Sequence, residues 1–468
     1  MTAGVRTEHD ALGAVTLPAD AWYGAQTARA AANFPISGLR VHPALLIAVV
    51  RIKRAAAVVH RGTGRLDPRR ADAIVAAADA VLGGAYRDQF IVDVYQAGAG
   101  TSLHMNVNEV LANLASVALG GARGVYDPVH PNDHVNMAQS TNDVMPTAIR
   151  LAALDALGPA LGAVDALAVT LRAQAVRFDG LVKAGRTHLQ DAMPIRLGQE
   201  VGAWAGSLER GARRVRQAAR YLLDLGIGGT AVGTGVNAEP AYAGLMVAEL
   251  AARTGLPLRV GRDPVQLMQS LGDAAAVSAA WRVLALDLGK IASDLRLLAS
   301  GPRTGFDEVR LPAVQPGSSI MPGKVNPSVP EMVNQVVFQV MGHDATVSAA
   351  AEQGQLELNV MMPVVAHNLL SAVTILGNAA EALDVRCVRG LEANAPMLAH
   401  WVERSAALAT ALAPRLGYAR VAALTHRSVA EGIPIRALVV REGLLTADEA
   451  DRLLDLRRLT DPGVPGAE

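Results

Sequence analysis

From Leu154 onward the apolar residues Leu157, Leu161, Val164, Leu167 and Leu171 recur at spacings of three and four. That rhythm puts them on one face of an α-helix, and the face demands a neighbour to cover it. Comparable stretches fall at roughly 197–224, 272–300, 328–352 and 364–390, separated by the breaks GIGGTAVGTGVN (226–237) and LPAVQPGSSIMPGKVNP (311–327). Glycine and proline are abundant in those breaks and end helices there. Five long amphipathic helices predict an all-α chain with a central bundle. Alanine and leucine dominate and aromatics make up only 3%, which favours helix over sheet. The expected organisation is an N-terminal mixed helical domain at 1–140, the bundle at 141–395 and a small C-terminal helical domain at 396–468.

At 468 residues the chain exceeds the roughly 100–200 of one ordinary domain. Hydrophobic residues reach 51% and charged ones only 18%, leaving more apolar surface than a monomer usually shows. Burial between subunits is the expected remedy. Forty-three basic residues balance forty-three acidic ones, with no basic stripe to attract nucleic acid or an anionic membrane. No uninterrupted apolar run approaches the ~18 residues of a membrane helix. The start MTAGVRTEHD lacks the basic and apolar regions of a signal peptide, so the reading is cytoplasmic. Cys387 is the single cysteine; alone it forms no internal disulfide and ligates no cluster.

Four polar clusters interrupt the apolar pattern. The loop after Leu311 gathers Gly317, Ser318, Ser319, Met321, Gly323, Lys324 and Asn326 among prolines. Converging backbone N–H groups, hydroxyls and one fixed charge can hold a carboxylate or oxyanion, although the same composition also describes a solvated turn. Only four lysines occur, Lys53, Lys183, Lys290 and Lys324, so a lysine marks a place where a compact point charge suits better than a guanidinium fork. The second cluster, HPNDHVNMAQSTNDVMPTAIR (130–150), sets Ser140, Thr141 and Asn142 just before a helical pattern. These residues are either a carboxylate seat at a helix N-terminus or simple N-caps. GAGTSLHMNVNEV (98–110) offers Thr101, Ser102, His104, Asn106 and Asn108 with the same two readings.

The fourth cluster is GRTHLQDAMPIRLGQE (185–200), where His188 is either a proton carrier near neutral pH or a hydrogen-bonded structural residue. Glu331 could orient it, yet Ser328-x-x-Glu331 also spells a capping box. There is no HExxH, paired CxxC, P-loop or strand-embedded GxGxxG, so no metal and no nucleotide cofactor is expected.

Together these segments resemble the aspartase/fumarase superfamily, and GSSIMPGKVNP (317–327) looks like its signature loop. The likeness runs in order through PADAWYGAQTARAAANFPISG (18–38), GTSLHMNVNEVLAN (100–113), HPNDHVNMAQSTNDV (130–144), GRTHLQDA (185–192), GGTAVGTGVN (228–237), QLELNVMMPV (355–364) and GIPIRALVVREGLL (432–445). The resemblance implies a homotetramer whose composite active sites each draw on three subunits, with a small dicarboxylate as substrate and no cofactor. It implies reversible anti elimination across a succinyl unit, giving fumarate or a close relative. By the same resemblance Ser318 is the base taking the C3 proton, supported by loop amides and Lys324. Ser140, Thr141 and Ser319 would hold the carboxylate beside that carbon. Thr187, Lys324 and Asn326 would hold the other, with Met321 at its border, while Thr101, Asn142 and His188 would surround the leaving group.

Hydroxide must be protonated to depart and ammonium leaves unaided as ammonia, so His188 favours a hydratase. VNPSVPEMVNQVVFQVMGHD (325–344), HPNDHVNM and ANFPISG resemble instead the aspartate ammonia-lyases of the family, and that branch is the expectation. A fumarate hydratase and a lyase of a modified aspartate or another amine are the alternatives. Three positions depart from the family pattern: His104 stands where asparagine is usual, Met362 where glutamate or lysine is, and Ala32 where glutamate is.

Overall fold

The computed structural model describes residues 4–465. Helices account for most of it, and the strands pair only two by two. The five long helices of the sequence reading are present: Thr141–Arg177, Leu197–Ala219, Gly272–Leu298, Ser328–Glu352 and Met362–Arg386. The apolar face read from the first of them is buried at Leu157, Leu161, Val164, Leu167 and Leu171. Contacts divide the chain into two compact units, one made of Met1–Leu161, Arg213–Val283 and Phe338–Leu376, the other of Gly162–Ala212, Leu284–Val337 and Gly377–Glu468.

In the first unit, the fully buried Trp281 donates its indole N–H to the Ala372 carbonyl at 3.0 Å. Ser278 and Arg282 both donate to Asp344 at 2.7 Å. The helix Gly272–Leu298 is thereby pinned to two neighbouring long helices by polar bonds. Near the N-terminus the hairpin Val5–Asp10 with Gly13–Pro18 precedes the helix Ala25–Asn33. The N-cap of that helix, Gly24, has no side chain to satisfy the free amides of the first turn. Glu109, on the buried helix Thr101–Ala118, does so from across the fold. Its carboxylate accepts from the amides of Gly24, Gln26 and Thr27 and from the Thr27 hydroxyl at 2.5–3.1 Å. Burial pushes the Glu109 carboxyl upward while these bonds pull it back. Gly24 must be glycine for this approach, because a Cβ there would lie 1.9 Å from the Tyr126 hydroxyl.

In the second unit, Asn334 donates to the Gly289 carbonyl at 3.0 Å, and a Cβ on Gly289 would stand 3.1 Å from Val337. The glycine therefore lets two long helices approach closely. A hairpin, Val182–Thr187 with Gln190–Arg196, leaves the helical pattern here. Its first strand is anchored by Lys183, which pairs with Glu200 at 2.9 Å and Glu308 at 3.0 Å, and by Arg186, which pairs with Glu308 at 2.7 Å. The C-terminal helices close over their own small core, which includes Leu408, Leu412, Leu424, Ile435, Leu438 and Leu453.

Two stretches, Thr141–Arg177 and Met362–Gly390, are long and apolar enough to cross a membrane by length and composition. The sequence reading counted uninterrupted apolar runs and found none long enough. Alanine-rich helices reach a high mean hydropathy without such a run, and core helices share this property.

Replacing Glu109 with leucine strands three amides of the first helix in an apolar setting. The expected cost is about 2–4 kcal/mol, read as a lower denaturation midpoint. A loss under about 0.5 kcal/mol would show that the carboxylate is not what caps that helix.

Candidate active site

The signature loop folds back on itself. The Gly317 amide donates to the Lys324 carbonyl at 2.8 Å, and Asn326 returns its side-chain N–H to the Gly317 carbonyl at 2.6 Å. A Cβ on Gly317 would lie 2.6 Å from the Lys324 carbonyl oxygen, so the pinch requires glycine. It leaves Ser318 at the start of a tight turn whose next amides point at its side chain. The N–H groups of Ile320 and Met321 both donate to Ser318 Oγ, at 3.2 and 2.9 Å. Two donors aimed at one hydroxyl oxygen stabilise negative charge on it more than they stabilise the neutral alcohol. Gly323, Lys324 and Asn326 then line a cleft of about 710 Å³ with Ser293 and Arg296. Ser319, Met321 and Lys324 are exposed, and Ser318 and Asn326 half-buried.

The next helix starts at Ser328, and the Glu331 amide donates to the Pro327 carbonyl at 3.1 Å. The cap position thus falls on Pro327, one residue before the Ser328–Glu331 box read from the sequence. Glu331 stands exposed in the first turn.

Thr101 and Thr141, forty residues apart, meet in the first unit with their hydroxyl oxygens 3.4 Å apart. Thr101 opens the helix Thr101–Ala118 after a left-handed turn at Ala99 and Gly100. A Cβ at Gly100 would come within 2.6 Å of Met145. Thr141 opens the longest helix, and around it the N-cap reading of the sequence holds. Ser140 is a cap, taking the Asn142 amide at 3.1 Å, and Asp143 reaches back to the Ser140 amide at 2.9 Å. The other Asp143 oxygen accepts from the amides of Gly228 and Thr230, so one buried carboxylate ties the helix start to the glycine-rich segment 226–237. Burial raises the Asp143 carboxyl to about 6 against the pull of these bonds and of Lys53. Asn142 donates to the Ala231 carbonyl at 2.7 Å, leaving its own oxygen free to accept.

His104 is 1% exposed and lies behind Thr141. Its Nδ1 is 2.7 Å from Thr141 Oγ1, and its Nε2 faces Lys53 Nζ, a fully buried amino group that also donates to Asn136 and Gln139 at 2.8 Å and that desolvation holds well below the usual lysine range. Desolvation, aided by the Lys53 charge, holds the His104 ring well below the usual histidine range. Sequence reasoning singled out Lys53 only as a scarce residue type and missed Asn136 and Gln139. The available signal was a scarce lysine, flanked by Arg51 and Arg54, inside the mostly apolar helical stretch LLIAVVRIKRAAAVV (45–59).

Thr187 and His188 stand exposed at the tip of the hairpin. His188 and Leu189 both adopt left-handed backbone, at φ 54° and 62°. Non-glycine residues rarely accept this, and such strain gathers at functional sites. Within the chain, then, Thr101, His104 and Thr141 are assembled side by side with Ser140 and Asn142. The signature loop and the hairpin tip each present their residues on exposed elements of their own.

The chain matches the Lyase family over residues 13–342 and the fumarase C C-terminus over residues 408–461. It is 46% identical over 464 residues to an aspartate ammonia-lyase of Bacillus subtilis, covering 99% of this chain and 98% of that one. It is 47% identical over 465 residues to a class II fumarate hydratase of Halobacterium salinarum, covering 99% of each. Among solved structures, the fumarate lyase:delta crystallin of Brucella melitensis bound to cobalt superposes with a TM-score of 0.94 at 45% identity, over 98% of this chain and 100% of that one. A helical lyase is what the fold and the serine loop define. The chain belongs to the aspartase/fumarase superfamily.

The histidine environments set a pH dependence. Burial lowers the folded-state affinity of His104 for a proton, and also that of His42, His60, His134 and His367. The unfolded chain therefore binds more protons below about pH 6.5, and stability falls as the pH drops through that value. Asp143 acts oppositely between its ordinary value of 3.8 and about 6, so it offsets part of this loss. Between pH 7.5 and 5.5 the His104→Asn variant should lose about 1 kcal/mol less stability than the parent, since a fully buried neutral ring costs roughly 1.4 kcal/mol per pH unit below its unfolded pKa. Equal losses in denaturation measurements at the two pH values would count against a neutral buried ring.

Proposed function

We propose that the chain is an ammonia-lyase that reversibly eliminates ammonia from L-aspartate to give fumarate, with Ser318 as the base. The observation that carries this reading is the pair of amide donors on Ser318 Oγ. A free serine is far too weak a base at neutral pH, and an alkoxide must be stabilised before it can take a proton from carbon. The two N–H groups meet that charge directly, and Lys324, in the same loop, adds a positive one.

Ser318 Oγ takes the proton from C3, and the electron pair is delocalised into the adjacent carboxylate as an aci-carboxylate dianion. Collapse of that pair forms the carbon–carbon double bond and expels the amine from C2 as ammonia. Most of the barrier lies in the dianion, so donors around that carboxylate matter most. Ser140, Thr141 and Ser319 are assigned to it. Thr187, Lys324 and Asn326 are assigned to the second carboxylate with Met321 beside it, and Thr101, Asn142 and His188 to the leaving group.

A site completed by neighbouring copies in a homotetramer is part of this reading. Exposed apolar residues on the long helices agree with that: Val169 is 69% exposed, Val176 80% and Phe338 67%. The ammonia-lyase branch is favoured by the run after the signature loop, VNPSVPEMVNQVVFQVMGHD. His188, exposed on its strained turn, favours a hydratase as the second reading, because hydroxide needs an acid to leave.

Product analysis with L-aspartate and L-malate side by side separates the two. Fumarate and ammonia from L-aspartate, with little from L-malate, is the expected result, and the reverse preference would make the chain a hydratase. Ser318→Ala should lower turnover by at least about 10³-fold while the native mass stays that of a tetramer. A Ser318→Ala variant keeping more than about a tenth of the activity would move the base elsewhere.

A further inference from the structure

We propose that Lys53 and His104 act as positioning residues that fix the direction of the Thr141 hydroxyl, turning its proton outward as a donor to the substrate carboxylate. The inference rests on the assignment of Thr141 to that carboxylate.

The argument starts at Lys53, which has no exposed surface and three polar neighbours: Asn136 Oδ1, Gln139 Oε1 and His104 Nε2. Both amides are locked with their oxygens toward the lysine. Asn136 spends its N–H₂ on the Gln139 carbonyl at 3.2 Å, and Gln139 spends its own on the Val135 and Met137 carbonyls at 3.2 Å. Two lysine hydrogens are therefore committed to acceptors. The third position faces the imidazole and decides its tautomer.

An ammonium there donates to Nε2, which puts the imidazole hydrogen on Nδ1. A neutral amine would accept from Nε2–H and leave Nδ1 bare. Desolvation pushes the Lys53 ammonium well below the usual lysine range, and the Asp143 carboxylate, which accepts three backbone amides, opposes that shift and supplies the counter-charge for the ammonium form the proposal requires. Two opposite charges buried near each other cost less than either alone. His104 Nδ1–H then donates to Thr141 Oγ1 across 2.7 Å.

A hydroxyl that already accepts from behind keeps its own proton for another partner. Thr101 Oγ1, which donates its own proton to the Gly98 carbonyl at 3.1 Å, lies 3.4 Å away and is only a long, weak acceptor for the Thr141 proton. The Thr141 proton is thus left for a ligand. With the opposite tautomer the hydroxyl would donate inward to Nδ1 and present only lone pairs, repelling a carboxylate. Asparagine, usual at this position in the family, carries the same polarity: its oxygen can accept from Lys53 and its N–H₂ can donate to Thr141. His104 thereby keeps the arrangement with a different side chain and brings no charge of its own to the leaving group.

The test is a double-mutant cycle on the full-length oligomer, assayed in both directions with L-aspartate and with fumarate plus ammonium, and with L-malate in parallel. His104→Leu should lower kcat/KM by about 10- to 100-fold, chiefly in kcat, with melting temperature and native mass little changed. His104→Asn should stay within about 3-fold of the parent. In a Thr141→Val background, His104→Leu should have no further effect beyond about 2-fold, because its target is gone. Multiplying effects in the double variant would overturn the proposal and leave Thr141 its substrate role. An unimpaired Thr141→Val would remove that role itself, and the proposal with it. Should His104→Leu fail to fold, ring-¹⁵N NMR of the parent, assigned against His104→Asn, decides the question. A proton on Nδ1 supports the proposal, and a proton on Nε2 overturns it.

Discussion

A charge taken out of water must find partners, and in this apolar chain the buried charges hold the polar segments where the chemistry needs them. Asp143 shows the principle most fully. Its two oxygens accept from the amides of Ser140, Gly228 and Thr230, fixing both the start of the longest helix and the glycine-rich segment beside it. Glu109 does the same for the first helix, and Glu308, with no exposed surface, takes Lys183 and Arg186 from the strand that leads to His188. Each carboxylate would be costly alone. Satisfied by several donors, each converts burial into a defined backbone position.

The helices were legible because their signal is periodic and long. A three-and-four spacing sustained over many residues has one geometric reading, and Leu157 to Leu171 are buried as that reading requires. The chemistry-bearing loop was legible for a different reason: glycines, hydroxyls and a lysine between two helices suit an anion. Sequence could not show that the amides of Ile320 and Met321 turn onto Ser318 Oγ, because that depends on the pinch between Gly317 and Lys324. The last-but-one long helix starts at Ser328 as read from the sequence, but its cap falls on the preceding proline, which a Ser-x-x-Glu pattern cannot reveal.

Least legible was the set behind Thr141. Lys53 and His104 are fifty-one residues apart and meet only through tertiary packing, with Asn136 and Gln139 arriving from a third segment. A buried lysine looks, in sequence, like any charged residue on a helix. Its meaning comes from surroundings that remove every exposed route and leave three polar neighbours.

The same logic bears on which elimination the site performs. The donors assigned to the aci-carboxylate serve any succinyl substrate, because the dianion is common to ammonia and water loss. Discrimination must come from the leaving-group side, where protonation separates the two reactions. Thr101 and Asn142, assigned to that side, are neutral, and Asn142 commits one of its two N–H bonds to the Ala231 carbonyl, which leaves it one donor and its oxygen. His104, the one charge-capable departure from the family pattern near these residues, is held neutral by burial and faces Lys53 and Thr141. The burden of acid help for a hydratase would then fall on His188 alone.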